Sequence, residues 1–316
     1  MDNKIINVSI IGAGYMAEEY LKILSDLSQF KAIGIYSRNI NKCNELKDKY
    51  KSLIVYESIE NMQVNSRSDL VIVTCSAQSS KTVAYQVTKY SWTILFEKPI
   101  GLNFLEYQEI NKICIERNSN AYVALNRRYY SSTRKLENMI EKINGPRYIN
   151  IYDQENIEIL KEFNKDEKVI KNWMYANSIH LIDYIDIFSR GNLTELKVLD
   201  NWNYKNPTIV SARLKFDSGD IVNYNAIWNR PAPWEIKIST EEKYFNLSPI
   251  EKLCYTNKYS RKIKKVKVDS VDIKYKPGLF FLLEEMYKCI NHLPHRILSV
   301  KENKTTMTYI KDIYEL

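Results

Sequence analysis

Gly12-Ala13-Gly14-Tyr15-Met16-Ala17 is the segment whose residue types and spacing bear most directly on chemistry. Gly12 permits a tight turn, and Gly14 places no side chain between the backbone and a pyrophosphate. Ala17 takes the third small position, where a helix and a strand pack closely. A helix that opens here turns unpaired N–H groups and a positive dipole end toward the phosphates. The pattern has force only between a strand and a helix. Residues 5–11 are β-branched and mostly apolar, as in a buried parallel strand, and residues 18–27 repeat apolar side chains at helical spacing.

A second strand, residues 31–36, runs into Ser37-Arg38-Asn39. NAD sites usually place an acidic residue here, on the ribose 2′-hydroxyl. This chain has none, and Ser37 with Arg38 suits a 2′-phosphate, so the reading leans to NADP over NAD. An arginine stacked on adenine would serve either cofactor. Further strands are predicted at residues 53–56, 69–74, 93–96 and 121–125, and helix at 80–90. The later strands run into Cys75-Ser76, Glu97-Lys98-Pro99 and Asn126. In such a sheet ligands bind outside the carboxyl ends of the strands. Gly12, Ser37, Thr74, Lys98 and Asn126 should therefore face one crevice. The cofactor contacts assigned on this basis are Gly12, Gly14, Tyr15, Met16, Ser37, Arg38, Thr74, Cys75, Ser76, Glu97, Lys98 and Asn126.

His180 is one of only three histidines. Residues 173–190 read as a helix, with Asp183 on the same face three residues on. Two readings stand side by side: a general base for a hydroxyl group, or a buried helix histidine bonded to Asp183.

The fingerprint at 12–17, Glu97-Lys98-Pro99 after a strand, and Ser178-Ile179-His180-Leu181-Ile182-Asp183 occur in the order and spacing of the Gfo/Idh/MocA family of sugar and cyclitol oxidoreductases. The chain resembles that family over essentially its whole length, including a closing helix in residues 298–314. The resemblance implies that Lys98 lies beside the nicotinamide and the reacting carbon, where an ammonium stabilises a developing alkoxide. It implies that His180 takes or gives the hydroxyl proton. One departure matters. The family usually carries an aspartate four residues before this histidine, and here that residue is Ala176. Either Lys98 and His180 suffice, or Asn177, Tyr175 or Tyr129 substitutes, or the chain is a cofactor-sensing protein without turnover. The Asn-Ser-x-His-x-x-Asp form is similar to relatives from surface-polysaccharide pathways. That favours a nucleotide sugar, such as a UDP-N-acetylhexosamine oxidised at C3, with a free sugar or inositol as the alternative.

From residue 127 the pattern changes. Strands at 147–152, 209–216 and 221–227, a hairpin turn at 217–220, further strands at 234–239 and 244–247, and a helix at 279–291 describe an α+β domain on a mostly antiparallel open sheet. The fold class is thus α/β: a Rossmann domain over residues 1–126 and a substrate-binding and oligomerisation domain over 127–316. Arg127, Asn177, Lys98 and His180 are the candidate substrate contacts. Arg127, Arg128 and Arg230 suit a diphosphate, with surface salt bridges as the alternative. Trp173, Trp202, Trp228 and Trp234 offer flat faces for sugar rings. A homodimer or homotetramer through one sheet face follows from the resemblance.

The composition excludes other classes. Lys and Arg number 46 against 38 Asp and Glu, a net charge of +8. The charge is scattered except for residues 261–267, which read as a solvated strand rather than a nucleic-acid stripe. Five cysteines without a CxxC pair argue against a disulfide framework and a structural zinc site, and no metal is expected. The first residues lack a signal-peptide layout and no apolar run reaches membrane-spanning length. The expectation is a cytoplasmic protein with a small-molecule substrate and neither nucleic-acid nor membrane partners.

Overall fold

In the computed structural model, which describes residues 4–162 and 166–316, the apolar β-branched runs form a parallel sheet. Its strands are β1 (Ile6–Ile11), β2 (Phe30–Tyr36), β3 (Ile54–Val55), β4 (Leu70–Val73), β5 (Thr93–Glu97) and β6 (Ala121–Ala124). They lie in the order β3-β2-β1-β4-β5-β6, with every neighbour parallel. This is the doubly wound Rossmann order. Helices α1 (Tyr15–Leu24), α2 (Ile40–Lys49), α3 (Ile59–Asn65), α4 (Ala77–Val87) and α5 (Phe104–Glu116) make the crossovers. Burial on both sheet faces explains the unbroken apolar runs: all four residues of β4 are sealed from solvent. Asn39, Ser58 and Asn103 accept backbone N–H bonds at the starts of α2, α3 and α5, which satisfies donors the helices leave unpaired.

The remaining elements are α6 (Ser131–Ile140), β7 (Tyr148–Glu155), α7 (Ile157–Glu162), α8 (Glu167–Lys171), α9 (Ile179–Phe188), β8 (Leu193–Asp200), β9 (Ile209–Phe216), β10 (Ile221–Trp228), β11 (Glu235–Ser239), β12 (Lys243–Leu247), β13 (Leu253–Asn257), β14 (Lys264–Val266), α10 (Val271–Lys274), α11 (Leu279–Ile290) and α12 (Lys304–Tyr314). Strands β7 to β14 form a second sheet in the order β14-β13-β12-β11-β7-β10-β9-β8. Only β7 and β10 run parallel to each other; the other pairs are antiparallel. Alternation sets the core face, with Ile149, Ile151, Asp153 and Glu155 of β7 and Val222, Tyr224, Ala226 and Trp228 of β10 all buried.

The chain folds as two compact units. The first holds the residues up to Asn126 together with Lys274–Asn303, and the second holds Arg127–Ile273 together with Lys304–Leu316. The sequence boundary placed everything after residue 126 in the second domain, whereas residues 274–303 return to the first. The reason is physical. Helix α11 buries Leu279, Leu282, Leu283 and Met286, and Tyr287 meets Phe30 edge-on at 6.0 Å. Residues 298–300 then pair with the exposed edge of β6, through Val123 N–H to Leu298 O and Val300 N–H to Ala121 O, both 2.9 Å. A covered edge is closed to further strand pairing.

Three further differences from the sequence reading stand out. Helix 173–190 opens with a π turn over Met174–Ser178, and regular α9 begins only at Ile179. The closing helix begins at Lys304, not near 298. Strand β8 went unread because it is a largely exposed edge with no buried alternation. The basic run at 261–267 contributes the short edge strand β14, largely exposed as expected.

The β9–β10 hairpin ends on Asp220, which is fully buried. Its carboxylate accepts the backbone N–H of Arg147 at 2.8 Å and of Arg190 at 2.9 Å, and the Arg190 guanidinium at 2.7 and 3.0 Å. Asp220→Ala removes the acceptor of both backbone N–H groups and of Arg190 Nε–H, while the other Arg190 nitrogen keeps Gly145 O. It should lower the unfolding free energy by about 3 kcal/mol, read from urea denaturation, while NAD(P)H binding to the first unit is retained.

Candidate active site

The chain reaches the carboxyl end of β1 and turns at Gly12, whose φ is +114°. A Cβ at this residue would lie 2.5 Å from Thr74 Oγ1 and 2.9 Å from the Thr74 backbone. The first glycine is therefore required twice, by conformation and by the approach of β4. Gly14 differs: a Cβ there would meet no protein atom within 4 Å. The space beside it is open, as a cradle for a pyrophosphate requires. Gly14 also opens α1 without a side-chain cap, so the first N–H groups of the helix face outward. The residues present fit a dinucleotide.

The other predicted contacts follow the ends of neighbouring strands. Ser37 and Arg38 follow β2. The Arg38 guanidinium donates to Ser79 Oγ at 2.9 Å, and Ser79 is 3.2 Å from Ser76 Oγ, so it leans on the start of α4 beside Cys75 and Ser76. Burial pushes the Cys75 thiol up to about 11, which leaves it a neutral wall rather than a nucleophile. Asn126 follows β6, where its amide donates to Pro277 O at 3.0 Å. Glu97 ends β5 and accepts the Tyr20 hydroxyl at 2.7 Å. Burial raises its carboxyl, against the lowering by Tyr20, Lys98 and Lys276. Glu97 thus fastens the end of β5 to α1; the half-buried Lys98 follows it, and the Lys98–Pro99 peptide is cis.

Lys276 is a residue that sequence reasoning missed. Its ammonium lies 5.2 Å from the centre of the Tyr15 ring, and Tyr15 directly follows Gly14. A lysine before Pro277-Gly278 carries no mark of this placement, because only the return of residues 274–303 brings it to the phosphate turn.

In the second unit His180 lies on the first turn of α9 and is buried. The Asp183 carboxylate receives a two-pronged ion pair from Arg128 at 2.6 and 2.7 Å and the Thr306 hydroxyl at 2.8 Å. Arg128 also reaches Asp186 at 2.9 Å, so this guanidinium is held inside the unit rather than offered to a diphosphate. Arg127 is different. Its guanidinium stacks 4.5 Å above the Trp234 ring, and its buried Nε has no hydrogen-bond partner among the described residues.

The π turn before His180 has an identifiable cause. Glu155, at the end of β7, accepts Trp173 Nε1–H at 2.6 Å, the Asn177 amide at 2.9 and 3.1 Å, and Ser178 Oγ–H at 3.3 Å. Residues 173, 177 and 178 do not all share a face of a regular helix. The wider turn, closed by Ile179 N–H on Met174 O, brings all three onto one carboxylate. Asn177 thus anchors the turn through its amide nitrogen. The indoles are accounted for as well: Trp228 is fully buried, with Trp202 packed 4.4 Å away, and Trp234 donates to Gln154 O at 2.8 Å. Arg230 is exposed.

Among the described residues no cluster of His, Cys, Asp and Glu is arranged to hold a metal ion, and no helix is long and apolar enough to cross a membrane. A cavity of about 600 Å³ lined by residues 88–92 and 117–120 lies at the opposite, amino-terminal ends of β5 and β6. It takes no part in this arrangement.

The strand order and the glycine turn define a Rossmann fold of the dinucleotide-binding kind. Residues 6–125 match the Gfo/Idh/MocA model, the oxidoreductase family with an NAD-binding Rossmann fold. The match covers the parallel-sheet part of the chain and ends before the second sheet. Among curated proteins it is similar to scyllo-inositol 2-dehydrogenase (NADP(+)) IolU of Bacillus subtilis (strain 168), 23% identical over 105 residues. That stretch is 33% of this chain and only 32% of the relative, so the chain matches about a third of its length. Among solved structures it is similar to UDP-N-acetylglucosamine 3-dehydrogenase GnnA from Acidithiobacillus ferrooxidans, with a TM-score of 0.78 at 14% identity over 98% of this chain and 97% of that one. It is also similar to the WlbA dehydrogenase from Chromobacterium violaceum, solved with NADH and UDP-GlcNAcA, with a TM-score of 0.74 at 14% identity over 100% of this chain and 94% of that one. At such identities the likeness is one of fold.

The two glycines separate folding from binding. Gly14→Val should leave the thermal midpoint within about 2 °C of wild type, since its side chain enters open space, yet weaken NAD(P)H binding at least about a hundredfold, roughly 2.8 kcal/mol. Fluorescence titration of the reduced cofactor measures the loss. Undiminished affinity would remove the phosphate assignment from this turn.

Proposed function

We propose that the chain is an NAD(P)-dependent dehydrogenase of a sugar hydroxyl, with a nucleotide sugar as substrate and C3 of a UDP-N-acetylhexosamine as the favoured position. The observation that carries the reading is the placement of Lys98. It follows the carboxyl end of β5, in the sheet that carries the Gly12–Gly14 turn, so cofactor cradle and ammonium belong to one set of strand ends. NAD(P), when bound, supplies the hydride acceptor.

The protein's own part is charge and proton handling. Lys98 stabilises negative charge on the oxygen of the reacting carbon, and His180 takes the proton that oxygen sheds. Arg127 has a donor with no partner among the described residues, which suits a substrate diphosphate. Arg38 and Ser37 favour the 2′-phosphate of NADP, in line with the NADP(+) dependence of the curated relative. The alternative substrate is a free sugar or an inositol, the latter being what that relative's name gives. A second reading, a cofactor-sensing protein without turnover, rests on Ala176 in place of the usual aspartate.

The test is absorbance at 340 nm with NAD⁺ or NADP⁺ and a panel of UDP-hexosamines, free hexoses and inositols. Turnover on a UDP-hexosamine, faster with NADP⁺, is the expected result. Lys98→Ala and His180→Ala should each lower kcat/KM by about 10²–10⁴, with the cofactor Kd unchanged in His180→Ala. Tight cofactor binding without turnover on any substrate would favour the sensor, and wild-type rates in both variants would remove the assigned roles.

A further inference from the structure

Asp153 and Glu155 are two residues apart on β7, so both side chains leave on the core face. They are sealed there, at 0% and 3% exposure. Every donor to Glu155 named above comes from residues 173–178, directly before His180. Asp153 is served on one oxygen only. Tyr224 of β10 donates to Oδ2 at 2.6 Å, while buried Oδ1 has no partner among the described residues. Two residues apart on one strand face, the carboxyl groups are neighbours in the same dry core, and burial and the Asp153 charge raise the Glu155 carboxyl well above its usual range.

Two ionised carboxylates on neighbouring positions of so dry a face repel, and a proton held between the groups gives Oδ1 a partner. The pair then carries one proton and one negative charge. Its surroundings match that state. Arg127 is the cation that favours a charge on Asp153. Tyr224 on β10 and Tyr314 on α12 are both held well above the usual phenol range by burial and by Asp153, so both stay neutral donors. Ser178 and Asn177 face the pair from the π turn, Trp173 from the residue before it, and His180 follows on α9.

We propose that Asp153 and Glu155 share one proton and that their single charge, tied by Glu155 to the π turn, supports His180 as a positioning pair in place of the carboxylate missing at residue 176. The inference rests on the acid/base role proposed for His180. When the imidazole takes the hydroxyl proton it becomes a cation, and a buried negative charge behind its turn favours that form.

The shared proton gives a distinctive mutational signature. Glu155→Gln or Asp153→Asn replaces the proton by an amide N–H and leaves the remaining carboxylate ionised, so one charge persists. Each single variant should lower kcat by less than about tenfold. The double variant Asp153→Asn/Glu155→Gln removes the charge and should lower kcat at least about a hundredfold, a strong departure from additivity. Removing a nearby anion makes an imidazolium less favourable. The acidic limb of the pH–rate profile for oxidation should therefore move to lower pH in the double variant by on the order of half a unit or more, with cofactor Kd unchanged.

A substrate-free measurement accompanies this. The infrared carbonyl band of a buried protonated carboxyl should be present in the wild type and lost in either single variant. A band that is absent from the wild type, or that survives both substitutions, overturns the shared proton. A double variant with wild-type turnover and pH profile overturns the link to His180. Failure of the underlying function shows elsewhere, as wild-type turnover in His180→Ala, so the two failures are distinguishable.

Discussion

A carboxylate enclosed by apolar core must be met by donors on its oxygens, or the cost of burying it falls on the fold. Glu155 meets this demand by drawing Trp173, Asn177 and Ser178 onto itself. Much of the second unit depends on that. The helix widens into a π turn, α9 starts at Ile179, and His180 takes its place on the first turn. Three residues on, Asp183 binds Arg128 and Thr306, so the same helix is tied to the turn after β6 and to α12. The first unit has a smaller version of this device. Glu97 ends β5, accepts Tyr20 from α1, and thereby fixes the residue next to Lys98. In each unit a carboxylate at a strand end holds the backbone that carries a proposed catalytic group.

The parts legible in the sequence were those governed by local rules. Continuous β-branched runs marked β1 and β4, alternation marked β9 and β10, and the glycine spacing marked the phosphate turn. The illegible parts depended on distant partners. The apolar face of α11 says that it is covered but not by which unit, so the return of residues 274–303, and Lys276 with it, went unseen. The apolar spacing of residues 173–190 reads as helix whether or not a turn is widened; the cause of the widening lies on β7, eighteen residues before Trp173. Asp153 and Glu155 alternate with Tyr152 and Gln154, and on sequence alone acidic residues in a strand read as its solvent face. The predicted strand stopped at residue 152, whereas β7 runs on to Glu155, because Tyr224, Trp173 and Asn177 supply donors to Asp153 and Glu155 on the buried face.

The departure at Ala176 takes on a different meaning in this setting. A carboxylate near the histidine does not have to come from the same helix. On β7 Glu155 reaches the turn before His180 from a strand, and its hydrogen bonds organise that turn. In such a design one set of residues determines both local stability and proton chemistry, and substitutions in it need a readout beyond loss of activity.

The central claim is that this chain moves a hydride from a sugar carbon to the nicotinamide ring. Incubating the protein with NADP⁺ and a UDP-N-acetylhexosamine deuterated at C3, then weighing the recovered cofactor by mass spectrometry, tests it most directly. The account predicts reduced cofactor heavier by one deuterium and a slower single turnover than with the unlabelled sugar. Reduced cofactor without deuterium would contradict the C3 assignment, and no reduction with any sugar, in a protein that binds the cofactor, would contradict the dehydrogenase itself.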